Sequence, residues 1–271
     1  MKKRENKKHQ VIEKLFKICR QQNDFTFHNN LVKDVCKEVG FGNPFDVTKL
    51  DNKAKLPDIL INSDYAIIHI GSGKHKFIKG INKVFHNFEP IQQKIDWEYR
   101  KSLLNQYNTS ESNILSVANN QRILHHFLFR EDTELDNVDI LKRPKTYFPH
   151  RTKTSFEYSF GDIKMELKNI QIELDLTIEY QGVIGVFEGK NGTPDSFSIY
   201  QIYHPFLYYF NASKQTELKG KIKDIFSVYV VREKGKDNDT LKLWAYTFEN
   251  PLDITSIKFI KSAAYKLLNI N

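Results

Sequence analysis

The chain has 271 residues, 40% hydrophobic and 27% charged, with a formal net charge of +8 and an isoelectric point near 9.2. That length holds one large domain or two modest ones, and the apolar content excludes a wholly disordered chain. No apolar run approaches the roughly 20 residues that span a bilayer, and charged residues interrupt the stretch after the basic start, so a cytoplasmic protein with no membrane partner is expected. Two cysteines, Cys19 and Cys36, are too few for a disulfide scaffold or a Cys-based zinc site. The positive balance points to an anionic partner, with nucleic acid as the default.

Residues 1–20 hold eight Lys/Arg against Glu5 and Glu13. They read as a basic arm entering an amphipathic helix, with Val11, Ile12, Leu15, Phe16 and Cys19 at helical spacing. As an arm, they would neutralise phosphates without reading bases; the plainer alternative is a solvated terminus. A second helix is expected over HNNLVKDVCKEVG, capped by Asn29 or Asn30, with Leu31, Val35, Cys36 and Val39 inward and Gly40 as its stop. After a loop from Pro44 to Lys55, Ile59–Ile61 and Tyr65–Ile70 read as strands, with turns at Asn62-Ser63-Asp64 and Gly71-Ser72-Gly73. Helices followed by a basic hairpin give the order of a winged helix, whose tip residues Lys74, His75, Lys76 and Lys79 would reach phosphate. GSGK at Gly71–Lys74 lacks the four-residue spacer and the hydroxyl of a phosphate-binding loop.

Residues 110–129 read as one helix capped by Ser110, in which the adjacent His125 and His126 point about 100° apart and cannot face one ion. A loop covers 131–150. In the C-terminal half, SFEYSF and KMELKN form a hairpin about Gly161-Asp162, and QIELDLTIEY meets VIGVFEGK through a Gln181-Gly182 turn. An aromatic helix containing Pro205, strands at DIFSVYVVRE and TLKLWAYTFE, and a closing helix around SIKFIKSAAYKLL complete the pattern. The expected fold is α+β or α/β: a mixed sheet flanked by helices, with residues 1–100 as a DNA-contacting region and 101–271 as a catalytic domain.

Period-2 geometry sets Gln171, Glu173, Asp175, Thr177 and Glu179 on one face, while Ile172, Leu174, Leu176 and Ile178 take the other. Glu188 and Lys190 share a face of a strand too apolar for the surface, and charges there are expensive unless paired. Asp175 followed thirteen residues later by Glu188-Gly189-Lys190 is a D…E-x-K string on two adjacent strands, although the string by itself arises easily by chance. The blander reading of these residues is a cross-strand salt bridge on a sheet surface.

From Gln171 to Phe210, the run QIELD, VFEGKNGTPDSF and IYQIYHPFLYY resembles the catalytic core of PD-(D/E)XK restriction endonucleases, with Leu174 standing where that pattern often has proline. The resemblance implies a restriction-endonuclease-like core and magnesium-dependent cleavage of double-stranded DNA at a specific sequence. It also implies a homodimer and a cognate DNA methyltransferase in the same cell. Asp175 and Glu188 would ligate Mg2+, with the Gly189 carbonyl as a third oxygen and Glu173 able to ligate a second ion. Lys190 would hold or help deprotonate the attacking water, its pKa lowered by the ion. Lys74, Lys76 and Gln201 would contact DNA, Gln201 alternatively supporting the site. His204 could serve as a base but reads equally as a bystander, and Tyr200, Tyr203, Tyr208 and Tyr209 read largely as helix core. A repair or junction-resolving nuclease, or a winged-helix regulator with a non-catalytic nuclease-like domain, are the rival readings.

Overall fold

A computed structural model describes residues 6–99, 110–129, 139, 142–192 and 194–269. The chain divides into two units: residues 1–87, 153–171 and 195–199 form one, and 88–152, 172–194 and 200–271 the other. The second unit begins at Phe88, and two later segments join the first. No helix among the described residues is long and apolar enough to cross a membrane.

The N-terminal unit opens with α1 (Lys7–Gln22), followed by β1 (Thr26–His28), α2 (Asn29–Val39), the short α3 (Pro44–Val47) and α4 (Asp58–Ser63). The hairpin β2 (Tyr65–Gly71) and β3 (Lys74–Lys79) comes next, then α5 (Ile81–Val84) and β4 (Phe85–Asn87). Helix α1 is a packed structural helix, because Val11, Ile12, Leu15, Phe16 and Cys19 are at most 1% exposed. Three of its lysines are engaged: Lys7 donates to the Gly40 carbonyl, Lys8 pairs with Asp46 and Lys14 with Glu38. Lys17 and Arg20 are exposed on the outer face of the expected amphipathic helix, and residues 1–5 lie outside the described set. In α2 the inward residues are Val32, Val35 and Cys36, with Val32 replacing the expected Leu31, and the Nδ1 of His28 caps the helix.

Ile59–Ile61 are helical rather than extended. Pro57 stands at the N-cap, Asp58 complements the first turn, and Asp64 ends the helix in the left-handed region. The expected hairpin is present, and the sheet order is β1-β3-β2, continued by β8 and β7. His75 does not reach outward from this hairpin: it is 2% exposed.

The second unit is built on a mixed seven-stranded sheet, counted over the described residues, in the order β5-β14-β13-β12-β10-β9-β6. Its strands are β5 (Gln93–Tyr99), β6 (Lys145–Tyr147), β9 (Leu176–Tyr180), β10 (Val183–Asn191), β12 (Asp224–Glu233), β13 (Thr240–Phe248) and β14 (Ile257–Asn269). Strands β7 (His150–Phe160) and β8 (Ile163–Leu174) form the expected hairpin elements, and β11 (Ser196–Ser198) pairs with β4. Strands β9 and β10 join through Gln181 (φ 52°) and Gly182 (φ 86°), both left-handed as a two-residue type I′ turn requires. Strand β10 then runs parallel to β12, connected through α8 (Tyr200–Ala212), while β12 and β13 pair antiparallel.

The closing segment is strand β14, not a helix. It pairs with β13 on one side and β5 on the other, and Ser262, Ala263, Ala264 and Tyr265 are buried in succession. Two ladders of hydrogen bonds outweigh the modest helix preference of alanine, lysine and leucine. The single helix expected over 110–129 is α6 (Glu111–Asn120) and α7 (Ile123–Phe129), separated by Arg122 at φ 59°. Ser110 caps α6 by accepting from Asn113 N at 3.2 Å. Both helices cover a core of Ile114, Leu115, Ile123 and Leu124 against Phe187, Val228 and Val230 of the sheet.

Candidate active site

Alternation along β10 and β12 separates two environments. Phe187, Val228 and Val230 enter the core beneath α6 and α7. The intervening Val186, Glu188 and Ser227 line a pocket with Asp175 and with Gln201, Ile202 and Pro205 of α8. Pro205 has no N–H to offer the Gln201 carbonyl one turn earlier, and Ser227 Oγ donates to the Ile202 carbonyl at 2.8 Å, which ties this turn of α8 to the sheet.

Asp175 occupies the break between β8 and β9, so the strand is interrupted at this residue. The Gly189 N–H donates to Asp175 Oδ2 at 3.3 Å. Lys190 Nζ lies 3.1 Å from Glu188 Oε1 and 3.1 Å from Glu111 Oε2. The amide of Gln201 donates to Glu188 Oε1 at 3.3 Å, and its own Oε1 is buried with no hydrogen-bond partner among the described residues. The structure therefore brings together Asp175, Glu188, Gly189, Lys190 and Gln201. Glu173 lines the same pocket, but its side chain is 54% exposed and pairs with Arg151 at 2.9 Å. Thr177 keeps the expected face, opposite Val186, but is buried there, and Tyr209 donates to its hydroxyl. Lys74 is exposed and Lys76 half-buried on β3, both in the N-terminal unit. Tyr203 is fully buried and donates to the Pro251 carbonyl, while His204 is buried beside Tyr200 and Tyr203.

Glu111 is the residue that sequence reasoning missed. It stands one residue after the Ser110 cap, where an acidic side chain reads as a favourable partner of the helix dipole. Only the packing of α6 on β10 brings it to Lys190. Gly189 makes that approach possible, because a Cβ there would lie 3.0 Å from Leu115 Cγ and 3.1 Å from the Glu111 carbonyl. A glycine between Glu188 and Lys190 is the one sequence signal for a close neighbour at this point.

Three carboxyls face one ammonium, in partial burial. Burial pushes the Glu188 carboxyl up to about 8; Lys190 opposes this and Asp175 adds to it. Burial likewise raises Asp175, against the Gly189 N–H and Lys190, with Glu111 and Glu173 reinforcing the rise. Burial alone would lower Lys190, but the attraction of Glu188 and Glu111 holds it above the ordinary lysine value. Lys190 is thus held as a cation among three carboxyls.

A hard divalent cation fits this donor set. Asp175 and Glu188 offer oxygen ligands whose ionisation a cation would restore, and Mg2+ needs only one or two protein carboxylates because it keeps waters and substrate oxygens. No group of three or more His, Cys, Asp or Glu able to hold a metal occurs among the described residues, so any ion here would rest on that small protein share.

Comparison with known proteins places residues 9–77 in a domain of unknown function, DUF6996. No curated protein and no solved structure matches the chain. Residues 80–266 match a second domain of unknown function, DUF6997, over more than half of the chain, and the protein belongs to that family.

Proposed function

We propose that the chain is a magnesium-dependent endonuclease of the restriction type, hydrolysing phosphodiester bonds of double-stranded DNA at a specific sequence. The observation that carries this reading is the meeting of Asp175, Glu188 and Lys190 in one half-buried pocket whose carboxyls outnumber its cation. A surface salt bridge would be exposed and balanced, whereas the Lys190 and Glu188 side chains are 19% and 15% exposed.

Asp175 and Glu188 would hold the magnesium ion, with the Gly189 carbonyl as a further oxygen and Glu173 beside them. Bound there, the ion would neutralise charge developing on the phosphate and acidify a water. Lys190, fixed between Glu188 and Glu111, holds the attacking water as a hydrogen-bond donor. Gln201 fixes the Glu188 carboxyl through its amide. In the N-terminal unit the β1-β3-β2 order, with helices preceding an exposed Lys74, supports a winged-helix DNA contact. A homodimer and a protective DNA methyltransferase belong to the same proposal.

Digestion of phage DNA by the full chain tests it. Discrete fragments are expected with magnesium, specific binding without cleavage with calcium, and no cleavage in a chelator. Equal cleavage in chelator, or none with any divalent ion, overturns the reading.

A further inference from the structure

The segment Lys142–Thr152 of the second unit is exposed along most of its length and carries Lys142, Arg143, Lys145, His150 and Arg151 with no Asp or Glu. In its middle, Tyr147 is 50% and Phe148 79% exposed, the latter the most exposed large apolar side chain among the described residues. Position makes this more than a stray apolar spot. Tyr147 pairs with Thr177 across the β6–β9 ladder, and Arg151 reaches Glu173 at 2.9 Å. Thr177 and Glu173 stand two residues after and two residues before Asp175, so the segment from Tyr147 to Arg151 runs past the candidate catalytic carboxylate.

We infer that this edge is a binding surface for single-stranded nucleic acid, and that it holds one strand of the duplex where the pairing opens beside the cleaved phosphate. Aromatic faces interleaved with cations stack on bases that a closed duplex keeps to itself, while the cations follow the backbone. Glu179 and Glu173 temper the charge of Lys145 and Arg151, which leaves the aromatic pair as the main source of affinity. That the held strand belongs to the cleaved duplex rests on the nuclease reading; the binding surface does not.

The test is fluorescence anisotropy of the full chain, in a chelator, on oligo-dT and on a blunt duplex. The Tyr147→Ala/Phe148→Ala double variant should bind oligo-dT about ten-fold or more weakly, as loss of a base stack implies. Its salt dependence should be unchanged, its duplex affinity nearly so, and Tyr147→Trp/Phe148→Trp should restore binding. Unchanged oligo-dT affinity in the alanine variant, an equal loss on duplex, or a wild-type protein that ignores oligo-dT overturns the inference. Because no cleavage enters the measurement, an inactive protein that still shows this pattern would refute the nuclease reading and leave the binding surface standing.

Discussion

In the N-terminal unit His75 lies buried on β3, its ring stacked on His69 at 4.2 Å and on Phe27 at 5.2 Å, with Nε2 2.8 Å from Asn29 Oδ1. In the second unit Glu188 is largely buried, its side chain 15% exposed, yet its neighbours are Asp175, Lys190 and, through Lys190, Glu111. Both positions remove an ionisable group from water. The imidazole meets the cost by staying neutral, its pKa pushed down to about 3 by burial and then by His69 and His28. The carboxyl cluster keeps one firm cation and too many acids, a state that an added cation would relieve. Neutrality makes the first cluster part of the packing, and unbalanced charge makes the second a candidate for chemistry.

The sharpest way to break this contrast is to alter one member of each cluster. Glu188→Gln or Lys190→Ala should lower single-turnover cleavage by roughly 10²–10⁴-fold, with DNA binding in calcium largely retained by gel shift. His75→Phe, which keeps a ring in the stack, should leave the rate on saturating DNA unchanged. A Glu188 variant that cuts like wild type would return the carboxyl cluster to the status of a salt bridge.

A smaller effect separates the clusters without any substrate. Magnesium at a hundred times its dissociation constant should raise the unfolding free energy by about 2.7 kcal/mol, read from urea titrations with and without the ion. The gain should vanish in Glu188→Gln and persist in His75→Phe. Stabilisation that survives in Glu188→Gln would place the ion elsewhere.

The last effect belongs to His75 and is read as a slope against pH. Its folded-state pKa lies below the ordinary 6.5, so below that pH the unfolded chain binds more protons than the native one. The stabilisation is whole above pH 6.5 and is lost as pH falls toward about 3, by at most about 1.4 kcal/mol per pH unit. Urea titrations from neutral to acid pH should show that slope in the wild type and a shallower one in His75→Phe. Equal slopes would mean that His75 is charged in place.

The parts of the fold written in local pattern were legible. The Gln181-Gly182 turn, the Ser110 cap, the α1 stripe and the strands β10 and β12 each follow from neighbouring residues, and each recurs in the structure. Ile59–Ile61 misled because three apolar residues suit either a strand or a short helix, and Pro57-Asp58 decided for the helix. SIKFIKSAAYKLL misled because its strand state depends on β5, which lies more than 150 residues upstream.

The sequence by itself determined that Asp175, Glu188 and Lys190 would share a hairpin, because a two-residue turn and period-2 strands leave little choice of register. It likewise determined that an α+β chain would carry a positive balance. Tertiary structure alone decided that Glu111 completes the cluster, that Tyr209 covers Thr177, and that Tyr147 pairs with Thr177 two residues from Asp175. Those meetings join residues that are distant in sequence. They are set by which helix covers which strand, a choice made by burial over the whole core and encoded in no single stretch of the chain.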